Sequence, residues 1–131
     1  MTELSDDVRE KLKQPNFWLL ATNMEDGSTQ VTPMWVDVDD GYVIVNTAIG
    51  RLKERNVRRD PRVTLALANP DDPYTWVQIR GRVAEFVEGD AAFASIDALA
   101  KKYLGEDKYP YLQPGEQRVI LKIEPTKIIT G

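Results

Sequence analysis

The residues with the most chemistry in them sit together. Between Gly50 and Arg62 the chain carries Arg51, Lys53, Arg55, Arg58, Arg59 and Arg62, six of its seventeen Lys and Arg residues, against only Glu54 and Asp60. This stretch has a net charge of +4 on a chain whose total is −4. A cationic island on an acidic protein creates a local field suited to capturing an anion.

The island's position adds to its charge. The apolar run Tyr42-Val43-Ile44-Val45 precedes it and reads as a strand, Gly50 opens it, and Asp60-Pro61 closes it, because proline disfavours helical geometry in the residue before it. The residues between these limits predict about three turns of helix. A strand that runs into a helix N-terminus offers unpaired backbone N–H groups and the positive end of the helix dipole, which together favour phosphate. Arg51 and Arg55 share a face at i, i+4, with Lys53 and Asn56 beside the first turn. Charge runs also occur as plain solvated helix faces. The residues alone therefore leave two readings, a phosphate-class anion site and a solubilising surface.

Composition narrows the chemistry further. The chain has no histidine and no cysteine. Disulfides, thiolate nucleophiles, iron–sulfur ligands and zinc thiolate sites are excluded, and the commonest metal ligand, the usual haem ligand and the usual neutral-pH acid/base are missing. Ser-His and Cys-His triads cannot be built. No metal site is expected, and no residue stands out as catalytic. No apolar run approaches the roughly 18 residues of a membrane span, and the acidic start Met1–Asp7 lacks a signal-peptide core. A cytoplasmic protein with no membrane partner is expected. The acidic total also argues against nucleic acid as the main partner. A length of 131 residues predicts a single domain over 1–131.

The elements that must position the basic helix can be read in order. Ser5 before Asp6-Asp7 is an N-cap signal, Leu4, Val8 and Leu12 give the first helix an apolar face, and Pro15 stops it. Phe17–Asn23 reads as a buried strand. Glu25-Asp26-Gly27-Ser28 is turn chemistry leading into a strand from Gln30 to Val38, with Pro33 marking an edge or a bulge. Asp39-Asp40-Gly41 turns into Tyr42–Thr47 and the basic helix. Val63–Ala68 alternates as a strand. Tyr74–Glu88 is a long strand with Gly81 as its bulge. Gly89-Asp90 opens a helix with Phe93, Ile96 and Leu99 on one face, ended by Leu104-Gly105, and Gln117–Ile129 is the last strand. Six strands arranged in hairpins, with three helices, predict a mainly β (α+β) fold, an antiparallel barrel with peripheral helices.

This order resembles the split-barrel, FMN-binding-like proteins related to pyridoxamine 5′-phosphate oxidase, and within them the flavin/deazaflavin oxidoreductases of the B group. The matching residues are Leu19-Leu20-Ala21-Thr22 with Asp26-Gly27, then Arg51-Leu52-Lys53-Glu54-Arg55-Asn56-Val57-Arg58-Arg59-Asp60-Pro61-Arg62-Val63, and finally Tyr74–Gly81. The middle block is the specific one. The resemblance implies a homodimer with cofactors in two clefts at the subunit interface. It implies a cofactor phosphate held by Arg51, Lys53 and Asn56, a ring site lined by Gln30, Thr32, Asn46 and Thr47, and cover from the partner near Tyr74 and Trp76. It implies the deazaflavin coenzyme F420 more often than FMN, and a small conjugated or unsaturated substrate.

Several alternatives stay open on the residues. Arg55, Arg58 and Arg59 exceed what one phosphate needs, and they either serve the deazaflavin's oligoglutamate tail or pair with Glu54, Asp60 and solvent. Trp35, Tyr74 and Trp76 are either ring neighbours or packing anchors. Tyr109 and Tyr111, between two prolines, either form a substrate lid or pin their loop. An F420-dependent reductase leads, followed by an FMN-dependent oxidoreductase of the same fold and a non-catalytic flavin or deazaflavin carrier. A nucleic-acid-binding barrel is disfavoured by charge, and a haem-degrading barrel by the missing histidine.

Overall fold

A computed structural model describes residues 1–131. All strands belong to one curled antiparallel sheet in the order β2-β1-β5-β6-β7-β4-β3. They are β1 (Trp18–Asn23), β2 (Thr29–Met34), β3 (Val36–Asp39), β4 (Tyr42–Ala48), β5 (Arg62–Ala68), β6 (Trp76–Glu88) and β7 (Arg118–Thr130). The helices are α1 (Asp6–Lys13), α2 (Leu52–Arg59) and α3 (Asp90–Leu104). The sheet is a half-barrel of the split-barrel kind with peripheral helices.

Local chemistry explains most of these elements. The Ser5 side chain accepts from the Val8 N–H, with Asp6 and Asp7 in the first turn of α1, and Val8 and Leu12 are buried against the sheet. The β3–β4 hairpin turns at Asp40 (φ 47°) and Gly41 (φ 85°), the pair of positive φ values that a two-residue turn matched to strand twist requires. Alternation decides the rest. Val63, Leu65 and Leu67 of β5 point inward with Leu20 of β1 and Ile79 of β6, into a core that also takes Trp18, Val45, Leu121 and Ile123. Each fully buried leucine there contributes roughly 1.5–3 kcal/mol.

Two thirteen-residue strands, β6 and β7, hold the halves together. The first part of β6 pairs with β5, while the first part of β7 pairs with β4, from Ala48↔Arg118 to Val43↔Ile123. Between them the β6–β7 register shifts at Arg80/Gly81 and again at Val83/Glu85, where the sheet bends. Gly81 is the close-approach point: a Cβ there would lie 2.6 Å from the Glu124 carbonyl oxygen.

The strand count differs from the sequence expectation, seven rather than six. The segment expected as one strand from Gln30 to Val38 is two strands broken at Trp35, not at Pro33. Pro33 sits within β2, an edge strand where a missing N–H costs no ladder bond. The break comes from α3. The Val36 N–H donates to the Tyr103 hydroxyl (3.0 Å) and the Val36 carbonyl accepts from Lys102 Nζ (2.6 Å), so these groups are drawn to α3. The long strand also begins at Trp76 rather than Tyr74, which lies in the preceding turn. No helix is long and apolar enough to cross a membrane.

Candidate functional site

The basic segment folds as expected in outline. Arg51 is the N-cap of α2, with no side-chain capping bond, so the first-turn amide donors stay open to a ligand. Glu54 reaches back from the first turn, accepting from the Gly50 N–H at 2.8 Å, and fixes how the strand enters the helix. The cations of the helix then divide into committed and uncommitted groups. Arg58 donates to buried Glu54 (2.8 Å), pairs with Glu88 (3.3 Å) and lies over the Phe86 ring at 3.9 Å. Arg59 donates to the Asn23 carbonyl (2.6 Å) and to Asn56 Oδ1 (3.1 Å). Arg62 is held by Asp60, whose carboxyl lies well below the usual range because Arg62 and then Asn23 hydrogen-bond to it. Lys53 and Arg55 have no acidic partner, and Arg51 has only Glu116 at 3.5 Å.

Arg51 and Lys53 open onto a cavity of about 240 Å³. Its walls come from far-separated parts of the chain: Pro33 and Met34 at the end of β2 with Trp35 just after them, Asn46 of β4, Ile96 and Leu99 of α3, Tyr109 and Tyr111 of the following loop, and Arg118 at the start of β7. Phe17 completes the apolar side. Three of the twelve lining residues are cations and none is an acid, so the cavity favours an anion with a flat apolar body. Burial pushes the Lys53 ammonium below its ordinary range, helped by the nearby charges of Arg51 and Arg118, and a bound anion would favour its charged form.

An aromatic ladder shapes the wall. Tyr103 stacks on Trp35 (centroids 5.3 Å apart, 12° between planes), with Phe17 edge-on to Tyr103 at 5.5 Å. Tyr109 meets Trp35 edge-on at 6.1 Å, and Tyr111 meets Tyr109 at 5.8 Å. The Tyr103 hydroxyl donates to the Asn16 carbonyl at 2.6 Å, and Lys102 Nζ donates to the carbonyls of Leu12 and Val36, each at 2.6 Å. α3 therefore fixes the Trp35 side of the cavity from behind. Tyr109 is held through its own N–H to Asp97 (2.8 Å), whereas Tyr111 stays mostly exposed at the mouth.

Of the residues singled out from sequence, the cavity brings together Arg51, Lys53 and Asn46, and of the aromatic residues with open roles it is lined by Trp35, Tyr109 and Tyr111. Thr47 follows Asn46 on β4 and points to the opposite face, where its hydroxyl is buried without a partner. Asn56 is buried on the β1 side of α2, donating to Thr22 Oγ1 at 3.1 Å and to Met24 sulfur at 3.3 Å, and it does not line the cavity. Gln30 and Thr32 share the face of β2 that carries Met34, but stand outside the lining. Arg55 and Arg59 are exposed on α2. Tyr74 is 91 % exposed and Trp76 lies on the outer face of β6, both away from this cavity. The residue that sequence reasoning missed is Arg118, which is 3 % exposed. The available signal was a basic residue and Glu116 two positions apart at the head of an apolar strand. No group of three or more Asp or Glu side chains is placed to hold a metal ion.

Comparisons with known proteins identify the family and the fold. Residues 4–130 match the family described as pyridoxamine 5′-phosphate oxidase. Among solved structures, an F420 reductase is similar at 29 % identity and a TM-score of 0.82, covering 96 % of this chain and 98 % of that one. A conserved hypothetical protein from Mycobacterium tuberculosis is similar at 24 % identity and a TM-score of 0.76, over 99 % of this chain and 89 % of its own. HupZ from Group A Streptococcus shares the fold at 15 % identity and a TM-score of 0.68, over 97 % and 98 % of the two chains. No curated protein matches the sequence.

Proposed function

The chain belongs to the pyridoxamine 5′-phosphate oxidase family, and from that premise we propose that it is an oxidoreductase that binds coenzyme F420 and passes a hydride from the reduced deazaflavin to a small conjugated or unsaturated substrate. The family and the similar structures point to a flavin- or deazaflavin-type oxidoreductase. The observation that carries the finer reading is the cavity, with Arg51 and Lys53 beside an uncapped helix N-terminus and aromatic walls behind them. That donor set fits a phosphate attached to a flat ring. When bound, the deazaflavin supplies the two-electron chemistry. Arg51 and Lys53 would hold its phosphate, and the apolar and aromatic residues lining the cavity, Met34 and Trp35 among them, would pack on its ring and limit access of water.

FMN remains the second reading because of one observation. Arg58 and Arg62 are already paired with acids, and Arg59 is bonded to Asn23 and Asn56, so beyond the phosphate's Arg51 and Lys53 only Arg55 of the basic segment is left for an oligoglutamate tail. Titration of the protein with both cofactors, at low and at moderate salt, separates the two. Deazaflavin binding is expected to be tighter and to weaken as salt rises, because tail contacts are exposed and screened. Tighter binding of FMN at both salt concentrations would move the second reading to first.

The site is expected to be completed by a second copy. Leu19, flanked on its strand neighbours by Pro33 and Ala66, and Val31, beside Ala21, lie on the outer face of the sheet, with Trp76 on the same side. Leu19, Val31 and Trp76 are 48 %, 53 % and 42 % exposed, an apolar surface with small residues between, which suits close sheet packing. Sedimentation at micromolar concentration is expected to give a dimer, and Leu19→Glu a folded monomer with weakened cofactor binding. A monomeric wild type that still binds cofactor would refute the shared site.

A further inference from the structure

We propose that Arg118, on the inner wall of the cavity, is a second anion-recognising group that selects flat conjugated substrates bearing a carboxylate, with Glu116 as the internal carboxylate that the substrate's own replaces. The proposal rests on the oxidoreductase reading and names the substrate class for that site. Arg51, with a side chain 48 % exposed, stands at the mouth of the cavity, whereas the Arg118 side chain is 2 % exposed. A guanidinium at that depth is costly to bury unless it is paired.

Arg118 is only partly paired. Its Nε donates to Asn46 Oδ1 at 2.9 Å and its Nη1 to Glu116 at 3.2 Å, while Nη2 has no hydrogen-bond partner in the protein. Asn46 is itself fixed, donating to the Ala92 carbonyl at 2.8 Å, and the Tyr109 ring lies 5.1 Å from the guanidinium carbon. The guanidinium is thus held on two sides and lines the cavity with Nη2 unpaired. Glu116 touches both Arg51 (3.5 Å) and Arg118 (3.2 Å), so one carboxylate serves two arginines. With Lys53 included, the cluster has three cations for one acid. A cofactor phosphate at Arg51 and Lys53 leaves Arg118 for another anion, and the surface between Arg118 and Trp35 is aromatic, Tyr109 standing edge-on to the Trp35 ring. Planar recognition of a carboxylate is what a fixed guanidinium does best.

The test uses two probes that share one aromatic body: 8-anilinonaphthalene-1-sulfonate, which is anionic, and N-phenyl-1-naphthylamine, which is neutral. Binding is followed by quenching of tryptophan emission, with Trp35→Phe locating the signal in this cavity. The wild-type protein is expected to prefer the anionic probe by about tenfold, the worth of one charge-assisted bond. With Arg51→Ala/Lys53→Ala, which removes the other two cations lining the cavity, part of that preference is expected to persist, and adding Arg118→Met is expected to remove it. Glu116→Gln is expected to strengthen anionic-probe binding by about threefold, because it removes the competing carboxylate. Measured with Arg51→Ala/Lys53→Ala, so that Glu116 has no second arginine to release, a purely structural Arg118–Glu116 pair predicts no such gain. If Arg118→Met fails to fold, Glu116→Gln decides alone. Equal binding of the two probes by wild type, or an unchanged preference in Glu116→Gln, overturns the proposal. Cofactor titration of the same wild-type protein is a separate arm: failure to bind either cofactor removes the oxidoreductase reading, and the probe preference still decides the role of Arg118.

Discussion

Replacing Arg51 and Lys53 together by alanine is expected to lower affinity for a phosphate-bearing cofactor by about a hundredfold to a thousandfold. Each charge-assisted bond to a phosphate is worth about 1.5–3 kcal/mol, and Arg51, being half exposed, belongs at the lower end. Folding should change little. Arg51 makes no capping bond to α2, and Lys53 has no ion pair to lose. The single variants should rank with Lys53→Ala the weaker binder, because its ammonium is the more buried and gains more from an anion. The pH dependence follows from the same burial. Lys53 titrates below its ordinary value of 10.5 in the free protein, and a bound phosphate stabilises the charged form and raises it again. Affinity should therefore be level while free Lys53 is protonated, and fall as pH rises through its depressed pKa, below the usual lysine range. Lys53→Arg should abolish that fall. Cofactor titration against pH, with thermal melts as the folding control, checks all of this; a double variant that binds within threefold of wild type would reduce the basic helix to a solvated surface.

Gly81→Ala is expected to lower stability by about 1–3 kcal/mol, the usual cost of forcing an extra group into packed structure. The added methyl would stand 2.6 Å from the Glu124 carbonyl oxygen and 2.9 Å from Ile123 Cγ2. The nearer obstacle is backbone, so β6 and β7 must part at the bulge that lets the sheet curl. For a chain of this size each kcal/mol moves the thermal midpoint by roughly 3–6 °C. Arg80→Ala, one residue away and exposed, should stay within about 0.5 kcal/mol. Thermal unfolding of the two variants side by side is the measurement. Equal midpoints would show that the strands have slack where the close approach is tightest.

What the sequence disclosed, and what it withheld, divides along the range of the interactions involved. The β3–β4 turn at Asp40-Gly41, the Ser5 cap and the bulge at Gly81 are local chemistry, and each was readable in a few residues. The strand break at Trp35 was not, because its cause lies on α3, where Lys102 and Tyr103 take the Val36 carbonyl and N–H. Arg118 was hidden for the same reason. Alternation along β7 sets it opposite the core residues Val119, Leu121 and Ile123, on a face that reads as solvent. Tyr109 and α3 cover that face, and no nearby residue announces them. Asn56 shows the converse. Its place in the basic segment suggests a ligand contact, yet its amide is bonded to Thr22 and Met24 across the helix–strand interface.

The placement of β7 has a consequence for how the protein is made. The last strand in the sequence lies inside the sheet, between β6 and β4. Before it emerges, the chain can form the four-stranded piece β2-β1-β5-β6 and the hairpin β3-β4, each with an open edge. Those edges are templates for pairing with other chains. Synthesis thus passes through an interval in which six strands of this sheet exist but the two pieces cannot join, and long-range pairing such as Val43 with Ile123 forms slowly even when it can. Recovery from denaturant should accordingly fall as protein concentration rises, and chaperone demand during translation should be greatest just before β7 leaves the ribosome.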